Sequence, residues 1–239
     1  MRHTRRMNRI LIPLCLALSL GAFTPARAAD PPGPMHTIVL VRHGNYVPDP
    51  AIDDSIGPHL SPIGVAQAHL TAAALDALPR FDGLYASPMQ RARDTAAVIG
   101  ADDFPDRRFE VVDDLAECTP PTPLGDVAKT ENPADMAACK TKLDRVYARF
   151  FTAANGQDRS DLLVCHGNVI RYLVTRALGV DPESWLSMSV GNASITTIRI
   201  DAKGRMRVIA VGDVGHMPPK LRTGAWGDPP RDLAIPELR

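Results

Sequence analysis

The 239-residue chain has no Cys-x-x-Cys, no His-Glu-x-x-His, no Walker loop and no glycine-rich dinucleotide fingerprint. Without them the readings of structural zinc, a helix-borne catalytic metal, a nucleoside triphosphate or a nicotinamide cofactor have no motif to rest on, so no metal and no cofactor is implied. No internal repeat is visible, which excludes a stacked-repeat architecture. Beyond the first thirty residues there is no long hydrophobic run, and so no second candidate for a membrane span. Net charge is also lacking, with 27 Lys and Arg against 27 Asp and Glu. Nothing in that balance supplies the phosphate attraction that nucleic-acid binding needs.

What is present begins with an uneven start. Arg2, Arg5, Arg6 and Arg9 precede an apolar run from Ile10 to Phe23 and a cleavage-like triplet, Ala26-Arg27-Ala28. Residues 1–28 therefore read as a secretory signal peptide, the run being short for a retained anchor. Thr4-Arg5-Arg6 hints at twin-arginine export, but Asn8 and Arg9 stand where that signal wants apolar residues. The expected organisation is a signal (1–28), a linker (29–35), one domain (36–222) and a Pro-rich tail (223–239), in a periplasmic or secreted protein with no stable membrane span after cleavage. Cleavage would remove five arginines and no acid, leaving a mildly acidic chain and a further argument against nucleic acid as a partner. The oligomeric state is not legible.

Cys15 would leave with the signal. Cys118 and Cys139 flank a Pro-rich loop and could bridge, or all three remaining thiols could be free, because a sequence carries no Cα separation. Cys165 lies in an apolar run and is expected buried and reduced.

Thr37 to Val41 is continuous, β-branched and apolar, as expected of a strand covered on both faces. Ser61-Pro62 caps a helix predicted to Leu78. Short strands are predicted at 84–86 and 109–112, a helix at 89–99 and a loop at 118–131. Asn132-Pro133 opens a helix to about Ala153, 161–165 is a second buried strand, 168–178 a helix, and Asp181-Pro182-Glu183 starts a short one. Strands 194–200 and 206–211 form a hairpin turning near Gly204. Alternating strands and helices predict a three-layer α/β/α sandwich, mostly parallel with an antiparallel edge. Ligands in such sheets bind beyond the carboxyl ends of the strands.

The chemistry gathers at those ends. Arg42-His43-Gly44 leaves the first strand directly, and His166-Gly167-Asn168 leaves the strand ending at Cys165, so two imidazoles exit at the same end of the sheet. Between them Ser87 to Ala96 carries Arg91 into the first turn of a helix, where dipole, free N–H groups and a guanidinium fork favour an anion. Arg93 lies about 200 degrees further round by helical geometry, so only one of the two faces a common pocket.

Together these pieces resemble the histidine phosphatase, or phosphoglycerate mutase-like, superfamily in its Arg-His-Gly branch, over about His36 to Pro219. The likeness is greatest to its mitochondrial serine/threonine phosphatase group, through Leu60-Ser-Pro-Ile-Gly64, Cys165-His-Gly-Asn-Val-Ile-Arg171, Asn192-Ala-Ser-Ile195 and Gly212 to Pro219. The resemblance implies a metal-independent phosphatase acting on phosphate monoesters through a phosphohistidine on His43. Arg42, Arg91 and His166 would neutralise the transferring group, with Asn45 and Asn168 as amide donors to it. The resemblance further implies a carboxyl group as acid and then base, for which Glu117 is chosen over Asp113, Asp114 and Glu131. His166-Gly167 lacks the His-Asp pair of the acid phosphatase branch, so the proton is expected from the Glu117 loop. His59, His69 and His216 are expected on surfaces or loops.

The sequence also departs from that group. Gly44 replaces a serine, and the group's multimerising amino-terminal segment has no visible counterpart. With export, these departures point to a small or envelope-attached phosphate ester rather than a phosphoprotein. Two alternatives stand beside this reading. A non-catalytic binder of phosphorylated ligands would keep the pocket without turnover, and a mutase-type phosphotransferase is disfavoured because residues 46–59 contain no tryptophan.

Overall fold

The computed structural model describes residues 33–53 and 55–225; the signal expected at 1–28 and most of the tail expected at 223–239 lie outside them. Two central strands set the frame. β1 (Met35–Arg42) and β4 (Arg159–Cys165) run parallel, with Arg42 opposite Cys165. β2 (Gly83–Ala86) pairs parallel with β4 and with β3 (Glu110–Val111). On the other side β5 (Ile195–Asp201) pairs antiparallel with β1, and β6 (Met206–Asp213) antiparallel with β5, turning at Gly204 with φ +76°. The sheet order is β3-β2-β4-β1-β5-β6.

Strand alternation divides the core. Ile38, Leu40, Leu163 and Cys165 point to the face covered by α4 (Pro133–Phe150) and α5 (Gly167–Leu178). Val39, Val41, Leu162 and Val164 point to the face covered by α1 (Pro62–Leu75) and α2 (Gln90–Asp103). All eight side chains are buried, which accounts for the unbroken apolar runs: both pleat faces meet helices. The three-layer α/β/α sandwich with an antiparallel edge is borne out.

Capping matches the sequence signals. Ser61 accepts from Gly64 N at the start of α1, and Asn132 accepts from Ala134 N at the start of α4, each followed by proline at the first helical position. Several boundaries differ. α1 stops at Leu75 rather than Leu78, α2 runs past Gly100 to Asp103, α4 ends at Phe150, and the strand expected at 109–112 shrinks to two residues. The expected loop at 118–131 holds a short helix, α3 (Gly125–Ala128). A disulfide joins Cys118 to Cys139, whose Cα atoms are 5.7 Å apart, while Cys165 is free and buried.

Candidate active site

The ladder continues past the strand ends, because His43 N donates to Cys165 O at 2.9 Å and Ser87 N to Val164 O at 2.9 Å. Parallel pairing therefore delivers His43, Ser87 and His166 to one place, and the rings of His43 and His166 lie 5.0 Å apart. His43 Nδ1 is 2.8 Å from Gly44 O. A carbonyl only accepts, so Nδ1 carries the proton and Nε2 presents its lone pair. Arg91 Nε donates to that Nε2 at 3.1 Å. Burial, then Arg42 and Arg91, holds the His43 imidazole well below its ordinary pKa, against the opposing pull of the Gly44 hydrogen bond. Burial followed by His43, Arg91 and Arg42 does the same to His166, whose Nε2 is 2.7 Å from Ser87 Oγ.

Arg91 packs over the Tyr46 ring at 4.9 Å, while Tyr46 meets His43 edge-on at 5.4 Å. Arg93 is exposed, as the helical spacing requires. Arg42 Nη1 donates to Val190 O and Gly224 O at 2.5 and 2.7 Å. Its guanidinium packs against the start of α5, where a Cβ on Gly167 would come into ordinary contact with Nε at 3.4 Å. Gly44 is the more tightly constrained, since a Cβ there would lie 2.5 Å from the backbone oxygen of Gly64.

Glu117 follows β3 and reaches the same end of the sheet. Its carboxyl Oε1 is enclosed with no hydrogen-bond partner among the described residues. Burial raises its pKa, opposed by Arg42 and Arg91 and by the N–H groups of Asn168 and Cys118. Of the six enclosed side-chain polar atoms without a partner among the described residues, four belong to Arg42, Glu117, His166 and Arg171. Such concentration of unpaired polar atoms marks a place built for a polar ligand.

The two amides separate. Asn45 Oδ1 accepts from Ser61 Oγ at 2.7 Å, so its Nδ2 is not used in that contact. Asn168 Nδ2 spends one of its two hydrogens on Cys118 O at 3.2 Å and its Oδ1 accepts from Arg171, so the side chain braces the Glu117 loop. His59 and His69 are exposed and face Asp94 and Asp102, and His216 is a half-buried loop residue 3.1 Å from Thr71 Oγ1. Sequence reasoning missed the second tier. Thr95 Oγ1 accepts from Gly44 N at 3.0 Å, and Asn192 Nδ2 donates to His43 O at 3.3 Å. Only Ser87 had a readable signal, since it leaves β2 as the histidines leave their strands. Two hollows flank the centre, one of about 640 Å³ beside Arg42 and Arg171 and one of about 430 Å³ bounded by Tyr46, Met89, Arg91 and Glu117. Among the described residues no group of three or more His, Cys, Asp or Glu is arranged to hold a metal ion.

Residues 38–213 match the model of the histidine phosphatase superfamily (branch 1). The chain belongs to this superfamily. Among histidine phosphatase relatives, the mitochondrial serine/threonine-protein phosphatase Pgam5 of Caenorhabditis elegans is 37% identical over 188 residues, covering 76% of this chain and 64% of its own. The Xenopus tropicalis protein of the same name is 33% identical over 188 residues, covering 77% and 66%. The crystal structure of phosphoglycerate mutase from Plasmodium falciparum superposes with a TM-score of 0.54 at 26% identity, covering 77% of this chain and 95% of the mutase. The chain spans about 64% of the length of the first of these relatives.

These relatives overturn the expected location. Their names place them in mitochondria, which conflicts with a periplasmic or secreted protein, and the signal-peptide reading falls on residues outside those described. An arginine-rich, acid-free start is common to secretory and organelle-targeting segments, so composition did not separate the two.

Proposed function

We propose that the chain is a phosphatase that hydrolyses phosphate monoesters through a phosphohistidine on His43, with no metal in the transfer. One observation carries the reading: Nε2 of His43 keeps a lone pair, held in place by the Nδ1–H bond to Gly44 O, beside Arg91 and 5.0 Å from the second imidazole. In the first half-reaction Arg91 Nε exchanges its hydrogen bond to that lone pair for one to a phosphoryl oxygen, the lone pair attacks phosphorus, the P–N bond forms, and the ester P–O bond breaks. Glu117 gives its proton to the leaving oxygen. In the second, water attacks phosphorus as Glu117 takes a proton from it, the P–N bond breaks, and phosphate leaves with His43 neutral again. Arg42, Arg91 and His166 meet the charge on the equatorial oxygens, where catalysis of phosphoryl transfer chiefly lies.

Two details support these roles. Burial pushes His43 well below its ordinary value, toward the neutral form that attacks, and raises Glu117, against Arg42 and Arg91, toward the protonated form that donates. The hollow of about 640 Å³ beside Arg42, walled by Leu124, Val127, Leu186 and Met188, is of small-molecule size, so a small ester is the proposed substrate. The envelope-attached ester falls with the export reading. A phosphoserine or phosphothreonine peptide is the rival, since the relatives are named as protein phosphatases. Turnover of p-nitrophenyl phosphate in the presence of a chelator tests the proposal. Wild type is expected to turn over, and His43→Ala to lose about 10³-fold or more of that activity. A His43→Ala protein of undiminished rate would refute the mechanism.

A further inference from the structure

The helix α4 grips the chain on both sides of Glu117. Before it, Lys142 Nζ donates to Ala116 O at 2.8 Å; after it, Cys139 is bonded to Cys118. The two grips are three residues apart on α4 and so share one face of that helix. Cys118 does more than follow Glu117 in the chain, because its N–H is one of two that reach the Glu117 carboxylate and its carbonyl accepts from Asn168 Nδ2 at 3.2 Å. The segment has no regular structure of its own: residues 116–124 contain no helix or strand, Glu117 N donates to Met89 Sδ at 3.3 Å, and the next hold is Trp185 Nε1 on Pro121 O at 3.0 Å.

We infer that the Cys118–Cys139 disulfide, the covalent hold on the loop, is a positioning element of Glu117, and that its reduction by a dithiol separates proton delivery from attack by His43. The inference rests on the reading of Glu117 as the acid. A surface hollow is lined by Cys118, Cys139, Asp135 and Lys142, with Cys139 buried and Cys118 partly exposed, so Cys118 is the side from which a small reductant would approach. One thiolate of the dithiol attacks a sulfur of the pair, and the second displaces the resulting mixed disulfide. Cys118 and Cys139 end as thiols having gained two electrons and two protons, and the reductant leaves as a cyclic disulfide. Lys142 still holds Ala116 afterwards, while on the far side of Glu117 the covalent tether is gone and only hydrogen bonds remain, from Asn168 Nδ2 to Cys118 O and from Trp185 Nε1 to Pro121 O.

The leaving group separates this role from a structural one. Departing p-nitrophenolate needs little help from an acid, whereas an alkoxide needs a proton. The measurement is kcat/KM of the full chain, which reports the step up to phosphoryl transfer, for p-nitrophenyl phosphate and glycerol 2-phosphate before and after dithiothreitol. Reduction is expected to lower kcat/KM for the alkyl ester by about tenfold or more, part of the range a general acid supplies, and the aryl ester by less than about twofold. The double variant C118S/C139S should reproduce the reduced values and ignore dithiothreitol, with its circular dichroism unchanged. Equal losses on both esters, or none on either, would overturn the inference, the first by making the bond a matter of folding alone. Glu117→Gln in the oxidised protein tells the two failures apart. If that variant keeps full alkyl-ester turnover, the acid itself is misassigned; if it loses it while reduction changes nothing, only the role of the disulfide fails.

Discussion

His43 and Glu117 are tuned in opposite directions by the same cause. Burial disfavours charge, so it lowers the imidazole and raises the carboxyl. The active forms are neutral His43 and protonated Glu117. Activity on an alkyl ester is therefore lost as pH falls through the lowered His43 value, and lost as pH rises through the raised Glu117 value. After correction for the ester's own titration, kcat/KM is expected to be bell-shaped. Its alkaline limb should lie above the ordinary carboxyl value of about 4.3, and Glu117→Gln should abolish that limb. A limb unmoved by this substitution would assign the proton to another group. At this scale the sequence was legible where a residue sits directly on a strand end, as His43 and His166 do. The brace from Asn168 to Cys118 O was not legible, because the two residues lie fifty positions apart in the chain.

Elements position these residues through their ends. Ser61 caps α1 through Gly64 N, 3.1 Å from its Oγ, and the same hydroxyl donates to Asn45 Oδ1 at 2.7 Å. Helix start and the proposed anion donor thus share one oxygen. Ser61→Ala is expected to cost about 1 kcal/mol in denaturant unfolding and to raise KM for p-nitrophenyl phosphate, because Asn45 loses its brace. Unchanged KM with the stability loss intact would take Asn45 out of the site. The helix starts were readable because Ser61-Pro62 and Asn132-Pro133 carry their own chemistry. The helix ends were not, since α2 continues through Gly100 where local propensity suggests a stop. Nor did the Pro-rich composition of 118–131 reveal α3, which is too short for a periodic signal.

Across the whole molecule, the register of two parallel strands does the assembling. With Arg42 opposite Cys165, residues following β1 and β4 must emerge together, and a sheet covered on both faces holds them rigidly. That much could be read from two apolar runs and the histidines behind them. Pairing of Cys118 with Cys139 could not, because it depends on a 5.7 Å Cα separation that only the folded chain defines. Location was misread because the composition of the first residues suits more than one destination. The most direct test of the account is to mix the protein briefly with ³²P-labelled ester, quench it and locate the label. It should be bound to His43, labile in acid and stable in base, and absent from His43→Ala. Label on another residue, or turnover with no labelled protein at the shortest times, would contradict the central claim.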